Sequence, residues 1–230
     1  MVIVHPPGGI AGGDQVHISV ALESASKALI TTPGATRWYK TNGRPATQGI
    51  ELRIAVDAQL EWLPQETILF DAADATSEVT VELAPRSVYI GCDVLCLGRA
   101  AAGERLTRGR YRQRMSLRRE GRPIWMERGM FEPARSARHA AVAFADATVA
   151  GTVIAAAPEI TPGTLESVRS VLATQWGSKA AASRLPGGLL VARYLGDSSE
   201  QARRFVLATW SILRPALMEC PAIVPRLWNV

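Results

Sequence analysis

Val16, Ile18, Val20 and Leu22 alternate with His17, Ser19 and Ala21, and the same period of two returns in Ile50, Leu52, Ile54 and Val56 and in Val79, Val81 and Leu83. Alternation of this kind marks a strand with one face in a core and the other in water. Segments 28–32, 60–70, 87–97 and 111–117 also read as strands, separated by Gly, Pro or Asp/Asn punctuation. The pattern predicts roughly eight to ten strands before residue 155, at the short spacing of a sandwich, barrel or β-helical stack.

The pattern then changes period. Thr161 can cap a helix with Pro162 in its first turn, and Leu165, Val168, Leu172 and Trp176 follow at helical spacing. A second helix opens at Asp197-Ser198-Ser199-Glu200-Gln201, with Ser198 and Gln201 in capping-box register. Phe205, Thr209 and Ile212 line one face of it, and Pro215 is expected to end it. The chain therefore reads as mainly β with two late α-helices, residues 1–230 forming a single domain with no obvious sequence repeat.

Composition narrows the class. The 230 residues are 47% hydrophobic, enough for a substantial core and too many for a disordered tail. No apolar run reaches the length of about 20 residues that spans a membrane, and the start shows neither a basic region nor a long apolar stretch of a signal peptide. Cys92, Cys96 and Cys220 are too few for a disulfide scaffold, which fits a reducing cytoplasm. Residues 99–138 hold twelve arginines against four glutamates, +8 locally within a chain of net charge +5. Such a field suits a polyanion or an acidic protein surface. Arg108, Arg110, Arg112 and Arg114 fall on one face of a strand, as an exposed edge or as a contact face for an acidic partner.

Enzyme signatures do not appear. There is no phosphate-binding Gly-x-x-x-x-Gly-Lys-Ser/Thr loop and no Gly-x-Ser-x-Gly elbow. The glycines of Gly8-Gly9-Ile10-Ala11-Gly12-Gly13 miss dinucleotide-binding spacing, and a strand follows them instead of a helix. Cys92 and Cys96 share one strand face without a partner pair for zinc, and read as buried structural thiols. His5 and His17 are surface histidines or transient ligands for a borderline metal.

The carboxylates say more. Asp14 closes the glycine-rich turn, Glu61 and Glu66 flank Trp62-Leu63-Pro64, Asp93 interrupts the apolar run from Val88 to Leu97, and Glu104 and Glu127 sit among arginines. A charge in an apolar stretch is costly unless it is paired or lines a wet cavity. Structural ion pairs and a polar passage or partner contact stand as alternatives for each.

Five stretches together resemble the urease accessory protein UreD (UreH) family. They are His5-Pro6-Pro7-Gly8-Gly9-Ile10-Ala11-Gly12-Gly13-Asp14, Thr31-Thr32-Pro33-Gly34-Ala35-Thr36-Arg37-Trp38-Tyr39, and Leu60-Glu61-Trp62-Leu63-Pro64-Gln65-Glu66. The others are Leu97-Gly98-Arg99 with Gly103-Glu104, and Leu213-Arg214-Pro215 with Pro225-Arg226-Leu227-Trp228. They follow the family's order over nearly the whole chain.

The resemblance implies an irregular β-helical stack of antiparallel and parallel strands, without catalysis of its own. It implies a cytoplasmic chaperone that binds apo-urease together with UreF and the GTPase UreG, and helps insert nickel into the urease active site. Nickel would be in transit with no tightly bound cofactor, GTP would be used by UreG, and neither nucleic acid nor membrane would be a partner. His5, Asp14, Asp93, Glu104 and Glu127 would be weak ligands along a passage, with Thr36, Glu61 and Glu66 beside it. Arg108, Arg110, Arg112, Arg114, Arg214, Arg226 and Trp228 would meet partners. Family members usually carry about fifty residues ahead of the His-Pro-Pro motif, so that either the start codon is misassigned here or the first sheet edge is missing, with ladder groups left unpaired. The alternative function is an arginine-rich polyanion or nucleic-acid binding module through residues 99–138.

Overall fold

A computed structural model describes residues 1–133 and 146–229. The chain winds between two sheets. One holds β1 (Gln15–Leu22), β4 (Ala46–Ile54), β7 (Asp74–Leu83), β9 (Arg110–Arg119) and β10 (Arg122–Phe131), in that order. The other runs β12 (Ala180–Leu185), β13 (Leu189–Gly196), β11 (Val149–Ala156), β8 (Val88–Leu97), β5 (Gln59–Trp62) and β2 (Lys27–Ile30). β3 (Thr36–Trp38) pairs with β6 (Thr67–Leu69), and β6 pairs with the far half of β8. From β1 to β9 every pairing is parallel, so each pass through both sheets stacks as a rung on the one before. The antiparallel hairpin β9–β10 and the antiparallel strands β11, β12 and β13 finish the stack.

The rungs turn alike. Leu22, Ile54 and Leu83 share one register, and three residues beyond each of them stand Ala25, Asp57 and Arg86 with φ of 60°, 60° and 58°. The left-handed conformation turns the chain into the second sheet without glycine. Arg86 clamps the turn below by two bonds of 2.6 Å to Asp57.

Several strands differ from the sequence reading. Before residue 157 the described residues hold eleven strands, more than the alternation predicted. Segment 60–70 is two strands, broken where Leu63–Glu66 bend so that β5 and β6 can pair with the two halves of the straight β8. β3 is too short for a period to register, and β10 has exposed Met126 and Met130 on its outer face where polar residues would have marked it.

The helices lie on the outer face of the larger sheet. Thr161 caps α1 (Pro162–Trp176) through the Thr164 amide, and Ser198 caps α2 (Ser199–Met218) through the Gln201 amide, as the caps predict. Pro215 does not end α2. It falls in the last turns, its ring costing the carbonyl bond of Ser211, whose side is exposed to water, and the helix runs on to a left-handed Glu219. Val168, Leu172, Phe205 and Trp210 pack on Ile90, Cys92, Val94 and Cys96 of β8, which places both thiols on one buried face. Two further clusters fill the space between the sheets, one around Leu52, Leu60, Val81 and Leu117, the other around Ile10, Trp38, Leu69 and Tyr111.

Candidate functional site

Between the two inner clusters the lumen of the stack is not filled. A cavity of about 330 Å3 lies there, bounded by both sheets. Three of the sequence motifs meet on it: His5, Gly8 and Gly9 from the first, Thr32 to Arg37 from the second, Trp62 and Pro64 from the third. His5, Pro33, Gly34 and Arg37 are exposed, so the cavity opens to water between these two loops. Gly9 is required by contact. A Cβ there would lie 2.6 Å from Cε2 of Tyr39 and 2.8 Å from the Arg37 carbonyl. Inside, Gly91 leaves room for the Tyr89 hydroxyl that lies over it.

Five polar residues of the lining fall into two rows, the second of which runs on to Arg193 outside it. In the smaller sheet Gln48, Ser77 and Gln113 are aligned across β4, β7 and β9, each pointing inward among apolar neighbours. In the larger sheet Asp93, Thr152 and Arg193 are aligned across β8, β11 and β13. Gln113 Nε2 donates to Asp93 Oδ2 at 2.6 Å and ties the rows together. Desolvation raises the Asp93 pKa above its ordinary value; the Gln113 bond opposes this, Glu127 adds to it and Arg193 opposes it. Asp93 nonetheless keeps part of its surface open, toward the cavity. The same burial pushes the Tyr89 and Tyr111 phenols well up, with the Asp93 charge adding to both. Cys92 and Cys96, raised to about 12 chiefly by burial, stay thiols.

The other residues singled out in the sequence take different places. Thr36 lines the cavity with His5 and Asp93, but Asp14, Glu61, Glu66, Glu104 and Glu127 do not. Asp14 accepts the Ala11 amide at 2.8 Å inside its own turn. Glu61, 4% exposed, accepts from Trp210 Nε1 at 2.6 Å and pairs with Arg214 at 3.0 Å. Glu66 pairs with Arg203 at 3.7 Å, and Glu104 with Arg99 at 2.6 Å while it accepts the Asp71 amide. Glu127 pairs with Arg193, not with its neighbour Arg128. Among the described residues no three His, Cys, Asp or Glu side chains gather in a way that could hold a metal ion.

The arginine ladder is largely neutralised. β7 runs beside β9 with acids in register, so Arg110 meets Asp74 at 2.7 Å, Arg114 meets Glu78 at 3.0 Å, and Arg118 meets Glu82 at 3.8 Å. Arg108 pairs with Asp71 at 2.8 Å, and Arg112 stands opposite Thr76. Arg135 and Arg138 of the basic stretch lie outside the described residues. At the C-terminal end Arg214 is spent on Glu61, on the Pro221 carbonyl and on the face of Trp210. Trp228 packs edge-on against Trp210 and donates to Thr31 Oγ1 at 2.9 Å, while Arg226 is exposed.

Of the residues singled out in the sequence, His5, Thr36 and Asp93 line the cavity; Gln48, Ser77, Gln113 and Thr152 line it too, and nothing in the sequence singled them out, nor Arg193 beside Thr152. One inward polar residue in an alternating strand is ordinary. Only the parallel register turns three of them into a row.

The fold is a stacked β-architecture with helices on one face and a polar lumen lined by three of the sequence motifs. The family of the UreD urease accessory protein matches residues 1–229, and the chain belongs to that family. It is similar to the urease accessory protein UreD of Dechloromonas aromatica (strain RCB), 46% identical over 99% of this chain and 80% of that protein. It is also similar to UreD of Janthinobacterium sp. (strain Marseille), 44% identical over 99% of this chain and 77% of that one. UreD of Methylobacillus flagellatus is 41% identical over 99% of this chain and 79% of its own length. The chain is thus a non-catalytic factor of urease maturation, acting with urease and other accessory proteins. Among the described residues no helix is long and apolar enough to cross a membrane.

Proposed function

We propose that this chain is a cytoplasmic scaffold that binds apo-urease together with UreF and the GTPase UreG, and that nickel passes through its lumen on the way to the urease active site. The carrying observation is the convergence of three family motifs on one cavity whose lining, among the described residues, holds one carboxylate, Asp93, beside Thr152 and facing the neutral side chains of Gln48, Ser77 and Gln113. One carboxylate with neutral oxygens binds a divalent cation weakly, and weak binding suits transit. His5 at the mouth and Thr36 beside it would receive the ion. GTP would be consumed by UreG, and the chain itself would keep no resident cofactor. The arginine face would touch partners through Arg112 and Arg226 more than through Arg108, Arg110, Arg114 or Arg214, which have acids of their own.

The test is co-expression of the urease subunits and partner accessory proteins with and without this chain, reading urease activity and nickel per active site. Activity should depend on the chain. Asp93→Ala should lower activation by roughly tenfold, the scale expected when a metal-contacting group is removed, while pull-down of the complex persists. Equal loss of assembly would make Asp93 a structural residue and sink the passage.

A further inference from the structure

The polar row of the larger sheet does not stop at the cavity. Thr152 lines it, and the next position in register is Arg193 on β13. Arg193 Nη1 lies 3.4 Å from Thr152 Oγ1, and its Nη2 donates to Glu127 Oε1 at 2.7 Å. Glu127 belongs to the opposite sheet, on β10, where it is paired in register with the cavity-lining Met115. The ion pair therefore spans the gap between the sheets at the last rung. Its inner side touches a lining residue, and its outer side is wet, Arg193 being 46% and Glu127 33% exposed. A contact with one side on a cavity wall and the other in water is a partition.

The partition is built to move. A half-exposed ion pair holds weakly, and the guanidinium has a second hold. Its Cζ stands 5.9 Å from the centre of the Trp125 ring, on the same strand as Glu127, a contact that remains when the carboxylate lets go. Asp93 lies within the field of both partners, which shift its titration in opposite directions.

We propose that the Arg193–Glu127 pair closes a second mouth of the cavity, at the β10–β13 end, and that Arg193 repels cations there until Glu127 releases it. The first mouth lies at the opposite end of the stack, between loops 3–9 and 32–37. A divalent cation arriving from Asp93 competes for Glu127, and the guanidinium it displaces settles over Trp125. This use of the mouth rests on the lumen being the ion's route. The closure itself needs neither nickel nor urease.

The experiment uses the full chain with Cys220→Ser, to silence the partly exposed thiol, and Thr152→Cys as a reporter beside the pair. Modification by a cationic and an anionic thiosulfonate reagent is timed, each rate normalised to a free thiol. With the pair intact reagent enters by the first mouth alone, so both rates should be slower than in the variants below, the cationic one the slower. Arg193→Ala should speed modification by about fivefold, the factor equivalent to roughly 1 kcal/mol for an ion pair of this exposure. It should also reverse the preference toward the cationic reagent, since Asp93 and Glu127 remain. Glu127→Gln, which leaves Arg193 in place, should raise access while the cationic reagent stays disfavoured. Rates unchanged in both variants, with unchanged circular dichroism and melting, overturn the proposal, and so does a rise in Arg193→Ala without reversal. If the nickel reading fails instead, urease activation will be indifferent to Asp93 while these access rates still respond.

Discussion

Asp93 carries a carboxylate where ionisation is expensive, and its cost should be visible in the pH dependence of stability. Burial raises its pKa above the ordinary 3.8. Below that value the group is protonated both folded and unfolded, and contributes nothing. As pH rises, the unfolded chain ionises first, so stability is lost through the window between the unfolded and the folded pKa and stays lost above it. Asp93→Asn keeps an acceptor for Gln113 and removes that loss. The variant should match the parent in urea midpoint near pH 4 and exceed it near about pH 7, the difference growing between; a variant less stable at neutral pH would contradict the assignment. Asp93 was legible because one acid broke an apolar run. Its partners were not, because Gln48, Ser77 and Gln113 each sit in an unremarkable strand and acquire meaning only through a register that connects residues a whole rung apart.

At the scale of elements, the turns between the sheets repeat a conformation and not a sequence. Ala25, Asp57 and Arg86 have nothing chemical in common, yet all three are left-handed, which is why no repeat showed in the chain. Asp57 and Arg86 have each other, whereas Ala25 has only its strain. Ala25→Gly should therefore raise the unfolding free energy by about 0.5 kcal/mol, relief of left-handed strain exceeding the added freedom of the unfolded chain, as read from urea denaturation. A decrease would mean that the turn is set by its neighbours. Helix starts were legible through Thr161 and Ser198, because caps are local. The end of α2 was not, because a proline in a final exposed turn costs little. The hairpin β12–β13 escaped notice for a related reason: Leu189 to Ala192 are buried on both faces, so no alternation marks them.

For the molecule as a whole, the basic stretch that suggested a polyanion partner is balanced by acids from another strand. Asp71, Asp74, Glu78 and Glu82 precede it in the sequence by a full rung and lie beside it in the sheet. Net charge along a chain is not net charge on a surface. Binding to duplex DNA should accordingly be weak, with a slope of log affinity against log salt no steeper than about −3. A slope near −10 would revive the nucleic-acid reading.

The parallel stacking has a kinetic consequence. From β1 to β9 no strand finds its partner in an adjacent hairpin; each waits for a segment one rung later, and the local pairs β9–β10 and β12–β13 come at the end of the sheets. Contacts of such separation make for folding in milliseconds to seconds or slower. A chain leaving the ribosome shows an unfinished sheet edge after every rung, a surface that invites association with its own kind. Because β13 is the last strand of the chain, Arg193 reaches Glu127 only after every other strand has been made.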